Sequence, residues 1–336
     1  MIPLLQPSID GLRTFLLEKN CFVSWNDPEI ENKVREYIMS GKLIRGGLLV
    51  HLLNSTGKSN QDDVFILGAA LELSQSAFLI QDDIMDKDEI RRGKPSLHIQ
   101  LSQTSNTSDV GIYLALCIAD YLLFMSQELL STISHRSVIP SLSQYWNIQL
   151  KRVSIGQYHD IKYSRTPTIP SVKEIRTLYE NKTSSYTFSI PILTSAITED
   201  LPEKTKTILE NIANDFGVLF QLTDDMLNMY GNSKASGKPT FSDIREKKKT
   251  LLVSLAFETA EKAQQKILSE YYCNTTSKDM SSIINVFHSS EVKKMIDQSK
   301  DSLRTTIENN LSDSMTPKNI VSTITPLLDF IVTRTV

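Results

Sequence analysis

The stretch DDVFILGAALELSQSAFLIQDD (62–83) decides the fold. It is too long for a buried strand, and its apolar residues cover almost the whole circumference of a helix. A surface helix confines such residues to one stripe, so this one is expected to be buried nearly all round. VGIYLALCIADYLLFMSQELLSTI (110–133) has the same character. TKTILENIANDFGVLFQLTDDMLNMYG (205–231) is a third helix, with Gly231 as its stop. KTLLVSLAFETAEKAQQKILSEYY (249–272) is amphipathic at 3.6 spacing throughout, and EVKKMIDQSKDSLRTTIENNL (291–311) is a polar, amphipathic surface helix. Convincing β alternation is absent. Only 12 Gly and 12 Pro occur in 336 residues, which disfavours turn-rich folds. Loops fall at 54–61, 102–108, 164–171 and 232–243, with no internal repeat and no domain boundary. The expectation is an all-α chain, a single domain over residues 1–336, with ten or more helices bundled round a central apolar cavity.

Composition narrows the function. Hydrophobic residues make up 40% and charged residues 22%, an ordinary globular balance. The net charge is −3, from 36 basic and 39 acidic residues, so nucleic acid is not an expected partner. Cys21, Cys117 and Cys273 are scattered and form no CxxC, which argues against zinc and disulfide frameworks. No secretory signal and no apolar run of transmembrane length is read from the chain. A cytoplasmic protein without stable membrane insertion is expected.

Charge crowding points to chemistry. Asp82, Asp83 and Asp86 share one broad helical face near the end of the first apolar helix, where the macrodipole is negative. Like charges there cost stability. A bland reading is a solvated acidic helix end; a sharper one is a site for Mg²⁺, which takes oxygen ligands and shares its shell with substrate phosphates. The sharper reading gains because Asp224, Asp225 and Asn228 repeat the i, i+1, i+4 spacing at the end of another apolar helix. Basic residues suited to phosphate recur: Lys42 and Arg45 in SGKLIRGG, Arg91 and Arg92 after the first aspartates, Lys182 beside Thr183, and Lys238 ahead of the lysines at 247–249. Each alone is an ordinary solvated charge. Gln157 and Asp160 in GQYHDI are polar groups on a helix.

Taken in order, these segments resemble the trans-isoprenyl diphosphate synthases, the head-to-tail prenyltransferases that include farnesyl and geranylgeranyl diphosphate synthases. GKLIRGG, DDIMDKDEIRRG, GQYHDI, NKTSSY, FQLTDDMLNMYG and SGKPTFSDIREKKKT carry the resemblance from about residue 38 to 255. It implies the type I isoprenoid synthase fold and three Mg²⁺ per site, with Mn²⁺ as an alternative. Asp82 and Asp86 would bind two ions with Asp83 supporting, and Asp224 a third. Arg91, Lys182 and Lys238 would grip an allylic diphosphate, and Lys42, Arg45, Gln75 and Arg92 isopentenyl diphosphate. Gln157 and Thr183 would flank the reacting carbons, with Asp160, Asp225, Asn228 and Lys248 in support. The family also implies a homodimer, to which the apolar helix at 110–133 could supply the interface.

Three departures stand out. Ser40–Gly41 replaces a double glycine, Asn228 replaces the last aspartate of the second motif, and Arg334 is the only basic residue in the tail FIVTRTV. Phe78 and Ala77, four and five residues before Asp82, with Ser74 a turn above, are the expected measures of product length. One small residue there favours a C20 product, with C15 next. The alternatives are a terpene cyclase on the same fold and a non-catalytic regulatory subunit. The cyclase needs no second diphosphate grip; the regulatory subunit would have lost an aspartate motif.

Overall fold

The computed structural model describes residues 3–19, 25–57, 59–102, 108–230, 241–274 and 279–333. In chain order it contains α1 (Gln6–Glu18), α2 (Pro28–Met39), α3 (Ile44–Thr56), α4 (Gln61–Asp86), strands β1 (Ile90–Arg91) and β2 (Lys94–Pro95), α5 (Leu97–Ser102), α6 (Ser108–Thr132), α7 (Ile139–Arg165), α8 (Val172–Tyr179), a π-helical run Glu180–Ser189, α9 (Ile190–Thr198) and α10 (Glu203–Tyr230). Helices Ser242–Arg245, Leu251–Thr259, Lys262–Cys273, Met280–Phe287, Ser290–Leu311 and Lys318–Thr333 follow. The fold is all-α, as expected. Two compact units are present: Met1–Asn147 with Ile190–Leu201, and Ile148–Ser189 with Pro202–Val336.

In the first unit α4 is the core element, packed on α3 and α6. Leu67, Leu71, Leu73 and Ile80 are buried along it, and each contributes about 1.5–3 kcal/mol by leaving water. The α3–α4 crossing depends on absent side chains. A Cβ on Gly46 would lie 2.6 Å from the Gly68 carbonyl oxygen, and one on Gly68 would lie 2.7 Å from Val50 Cγ2. Helix α4 stops at Lys87, whose left-handed φ of 58° lets the Asp88 N–H close on the Asp83 carbonyl at 2.8 Å. A short hairpin follows, pairing Ile90 with Pro95 and Arg91 with Lys94. Its turn residues Arg92 and Gly93 both have positive φ, 55° and 77°, which suits the twist of a tight hairpin.

In the second unit α10 is the core element, packed on the π-helical run and on Ser290–Leu311. Phe188 meets Phe216 edge-on at 4.7 Å between ring centroids, a favourable aromatic arrangement.

Three expectations are corrected or bounded. The stretch 249–272 forms two helices rather than one. Ala260 is extended (φ −67°, ψ 152°), and Glu261 opens the next helix with a capping box to Gln264, a local signal stronger than the continuing apolar period. Two helical stretches do reach transmembrane length and hydropathy: Gln61–Asp86, which is 72% buried in its most apolar window, and Asp109–Thr132, which is 33% buried. The first is a core helix; the second carries exposed Tyr113, Leu116 and Phe124. Gly231 lies outside the described residues.

Candidate active site

The first unit holds the first aspartate motif on the last turn of α4. Helical geometry separates its members. Asp83 is buried, Asp82 half-buried and Asp86 exposed. Asp83 Oδ1 accepts from Arg91 Nε at 2.5 Å and also from Arg91 Nη2, while Tyr37 Oη donates to Asp83 Oδ2 at 3.3 Å. Burial pushes the Asp83 carboxyl above the usual carboxylate range, and the Arg91 guanidinium pulls it back. Burial likewise pushes the Tyr37 phenol well up, and Asp83 adds to it. Arg91 Nη2 also lies 3.8 Å from Asp82 Oδ2 and 3.3 Å from Asp88 Oδ2. The β1–β2 hairpin therefore turns Arg91 back onto the motif that precedes it.

Of the residues expected to grip isopentenyl diphosphate, Arg92, Arg45 and Gln75 have side-chain partners in the same unit. Arg92 Nη1 donates to the Tyr37 carbonyl at 3.0 Å and to Ser40 Oγ at 3.2 Å. Ser40 in turn donates to the Tyr37 carbonyl at 2.8 Å. A Cβ on Gly41 would lie 3.1 Å from Arg92 Nη1, so the Ser40–Gly41 pair keeps the one glycine that Arg92 needs and supplies it an acceptor. Lys42 is exposed and Arg45 half-buried. Leu43 caps α3 in a left-handed conformation and has no side-chain acceptor to offer. Glu72, buried on α4, provides one: its Oε1 accepts the Gly46 N–H at 2.7 Å. With its amide oriented so that the nitrogen faces Glu72, Gln75 donates to Glu72 Oε2 at 3.0 Å and accepts from Arg45 Nη1 at 2.7 Å, the one orientation that pairs donor with acceptor at both ends.

Of the expected product-length residues, Ala77 is buried and Phe78 half-buried. Ser74 is buried, with its hydroxyl 2.7 Å from that of Ser126 on α6.

The second unit holds the rest. Helix α7 carries Gln157, half-buried, and Asp160, whose Oδ2 accepts from Lys182 Nζ at 2.6 Å. Lys182 and Thr183 sit on the π-helical run, a backbone form that favours functional positions. Glycines press that run between its neighbours. A Cβ on Gly156 of α7 would lie 2.5 Å from the Lys182 backbone nitrogen, and one on Gly217 of α10 would lie 2.5 Å from Ser184 Cα. Thr183 Oγ1 donates to Gln221 Oε1 at 3.2 Å, and Gln221 Nε2 donates to Asp225 Oδ1 at 3.1 Å. Tyr179 Oη donates to Asp225 Oδ2 and accepts the Leu251 N–H at 2.9 Å. Burial pushes Asp225 well above the carboxylate range, and Asp243 adds to it. Asp224, its neighbour, stays half-buried.

Asn228, expected in a supporting role, makes two contacts to the segment after α10. Its Nδ2 donates to Ser242 Oγ at 2.6 Å and its Oδ1 accepts the Asp243 N–H at 3.2 Å, so both ends of the amide tie α10 to the start of Ser242–Arg245. Lys248 pairs with Glu246 at 3.0 Å. Lys249 is buried and donates to the Tyr163 carbonyl at 2.9 Å and to that of Thr166, closing the end of α7. Lys238 and Arg334 lie outside the described residues.

Sequence reasoning missed Tyr37, Glu72, Tyr179 and Gln221. A signal existed for the tyrosines: each lies 46 residues before the aspartate it binds, so the two motifs share a partner as well as a spacing.

The donor set suits a hard cation. Among the described residues no three acidic, His or Cys side chains gather closely enough to hold an ion alone. Mg²⁺ seldom needs that, since one or two carboxylates plus substrate phosphates suffice. Asp82 and Asp86, one turn apart at the open end of α4, fit this requirement, and so does Asp224.

A family profile described as "Polyprenyl synthetase" matches residues 27–288. A short chain isoprenyl diphosphate synthase of Methanocaldococcus jannaschii is 30% identical over 254 residues, covering 75% of this chain and 74% of that one. A geranylgeranyl diphosphate synthase of Sulfolobus acidocaldarius is 27% identical over 251 residues, covering 74% and 72%. Among solved structures, the geranylgeranyl pyrophosphate synthase of Corynebacterium glutamicum, complexed with isoprenyl diphosphate and magnesium, superposes with a TM-score of 0.84 at 22% identity over 99% of both chains. The match over most of the length, joined to two aspartate motifs of one design, makes this chain a member of the polyprenyl synthetase family.

Proposed function

We propose that this protein is a short-chain trans-prenyltransferase that joins isopentenyl diphosphate to an allylic diphosphate, with geranylgeranyl diphosphate (C20) as the main product and farnesyl diphosphate (C15) as the next. The relatives are chain-elongating synthases, which does not favour a cyclase. The observation that carries the reading is the gathering of Arg45, Gln75 and Arg92 around the α3 N-terminus, beside an aspartate motif with its own arginine. Two diphosphates need two grips, and a cyclase would need one.

Asp82, Asp86 and Asp224 would hold Mg²⁺, three ions per site, with Mn²⁺ able to substitute. When bound, the ions neutralise the departing diphosphate and lower the barrier to its release. Arg91 and Lys182, with Lys238 from the undescribed stretch, hold the allylic diphosphate. Lys42, Arg45, Gln75 and Arg92 hold the other. The allylic C–O bond breaks, the electron pair leaves with the diphosphate, and the isopentenyl double bond attacks the allylic cation. A proton is then lost to the departing diphosphate. Gln157 and Thr183 flank the reacting carbons. Asp160 aims Lys182, and Asp83 aims Arg91 rather than binding metal directly. Asp225 orders Gln221 and so Thr183, while Asn228 and Lys248 steady the segment after α10. The cation requires apolar, water-poor surroundings, and Ala77, Phe78 and Ser74 limit the length of the tail. The chain works as one functional domain, in the cytoplasm, as a homodimer that covers the exposed face of α6.

The test is to supply Mg²⁺, isopentenyl diphosphate and each of the C5, C10 and C15 allylic diphosphates in turn, and to size the products. Elongation from all three primers, ending mainly at C20, is expected. Release of diphosphate from an allylic substrate with no elongation would favour a cyclase.

A further inference from the structure

We infer that Glu72 is the positioning residue of the isopentenyl diphosphate grip: one buried carboxylate fixes the start of α3 and, through Gln75, the head of Arg45. This rests on the two-substrate reading above. Glu72 lies in the interior at 3% exposure, where an isolated carboxylate is costly. Its neighbours account for its presence. Oε1 takes the Gly46 N–H, one of the unpaired donors of the first turn of α3, at 2.7 Å. Oε2 takes the Gln75 amide at 3.0 Å, which leaves the Gln75 oxygen facing Arg45 Nη1 at 2.7 Å. Burial pushes the Glu72 carboxyl upward, while the Gly46 N–H and the charges of Arg45 and Arg92 pull it down. Two of the four expected isopentenyl-binding side chains, Gln75 directly and Arg45 through it, therefore answer to one acid that is not itself an expected substrate contact.

The geometry has a further requirement. Helix α3 must come close enough for Glu72 to reach it, and a Cβ on Gly46 would lie 2.8 Å from Glu72 Cγ. Leu43 cannot cap this helix end by side chain. Glu72 therefore replaces a local cap with a remote one, and the substitution links α3 to the helix that carries the aspartates. Gln75 satisfies the second oxygen of this buried carboxylate, and the same contact turns the Gln75 oxygen toward Arg45. A shared carboxylate holds two donors at fixed separation, which is how a supporting group tunes the residues in front of it.

The test compares Glu72→Gln and Glu72→Asp with wild type, measuring KM for isopentenyl diphosphate, KM for the allylic primer and kcat, with circular dichroism as the folding control. Glu72→Gln should raise the isopentenyl KM about tenfold (about 1.4 kcal/mol), leave the primer KM and kcat within about threefold, and Glu72→Asp should recover part of the loss. Adding Arg45→Lys to Glu72→Gln should cost less than the two single effects multiplied, because both act on one contact. Equal rises in both KM values, full additivity with Arg45→Lys, or loss of fold in both Glu72 variants would overturn the assignment and leave Glu72 a folding residue. Wild type that forms no elongated product would instead sink the two-substrate reading itself, whatever the variants do.

Discussion

Arg91 donates to Asp83 through both Nε and Nη2, and Asp83 is 1% exposed. Removing one partner of such a pair leaves a buried charge with a single phenol for company. Arg91→Ala is therefore expected to destabilise the protein by about 3 kcal/mol or more in urea unfolding, besides weakening the allylic grip. Stability within about 0.5 kcal/mol of wild type would show that Asp83 does not depend on Arg91. This division of labour was only half legible in sequence. The motif DDIMD gave three acids on one face, but helical spacing alone does not say which of two adjacent residues turns inward. Tyr37 decides it, from 46 residues away, and no local pattern carries that contact. Asn228 shows the same limit: an amide in place of the last aspartate of the second motif was readable, while its use to hold Ser242 and Asp243 was not. Ala77, by contrast, was legible as a small residue about one turn before the first aspartate motif, and it is buried. Ala77→Phe should shorten the main product by one C5 unit when products are sized. An unchanged length would show that position 77 does not face the growing tail.

At the scale of elements, the long apolar helices were readable because α4, α6 and α10 exceed the length of any strand, but α6, expected to be buried nearly all round, is only 33% buried in its most apolar window. Short features were not. The β1–β2 hairpin has two residues per strand, too few for any period, yet its turn brings Arg91 and Arg92 to their places. The π-helical run is likewise silent in sequence, since ENKTSSYTFS continues an ordinary helical pattern. Its glycine neighbours are the structural reason it fits. Gly156→Ala would drive a Cβ to 2.5 Å from the Lys182 nitrogen, and backbone on both sides cannot yield cheaply. This variant should fold with a Tm several degrees lower, as about 1–3 kcal/mol of overpacking implies, and should lose kcat more than substrate affinity. Wild-type kcat in Gly156→Ala would mean that the approach of α7 to Lys182 is immaterial.

For the whole molecule, burial sets how folding responds to alkali. The Tyr230 phenol, which donates to the Phe287 carbonyl at 2.9 Å, is pushed up by burial to about 12. A raised value means that the folded state favours the neutral phenol. Its stabilisation is complete below the unfolded value of 10.0 and fades as pH climbs from there to about 12. Urea unfolding at stepped pH should therefore show a fall above pH 10 that is shallower in Tyr230→Phe; identical curves would remove Tyr230 from the account. The central claim concerns chemistry across the whole chain, that Mg²⁺ and two diphosphate grips act together to lengthen a prenyl chain. Its most direct measurement uses isotope-labelled isopentenyl diphosphate with the unlabelled C15 allylic primer, with and without Mg²⁺. Label should enter a C20 diphosphate only when Mg²⁺ is present, and chelation should abolish it while the helical circular dichroism persists. No label in any prenyl product at saturating Mg²⁺, from a folded protein, would contradict the account.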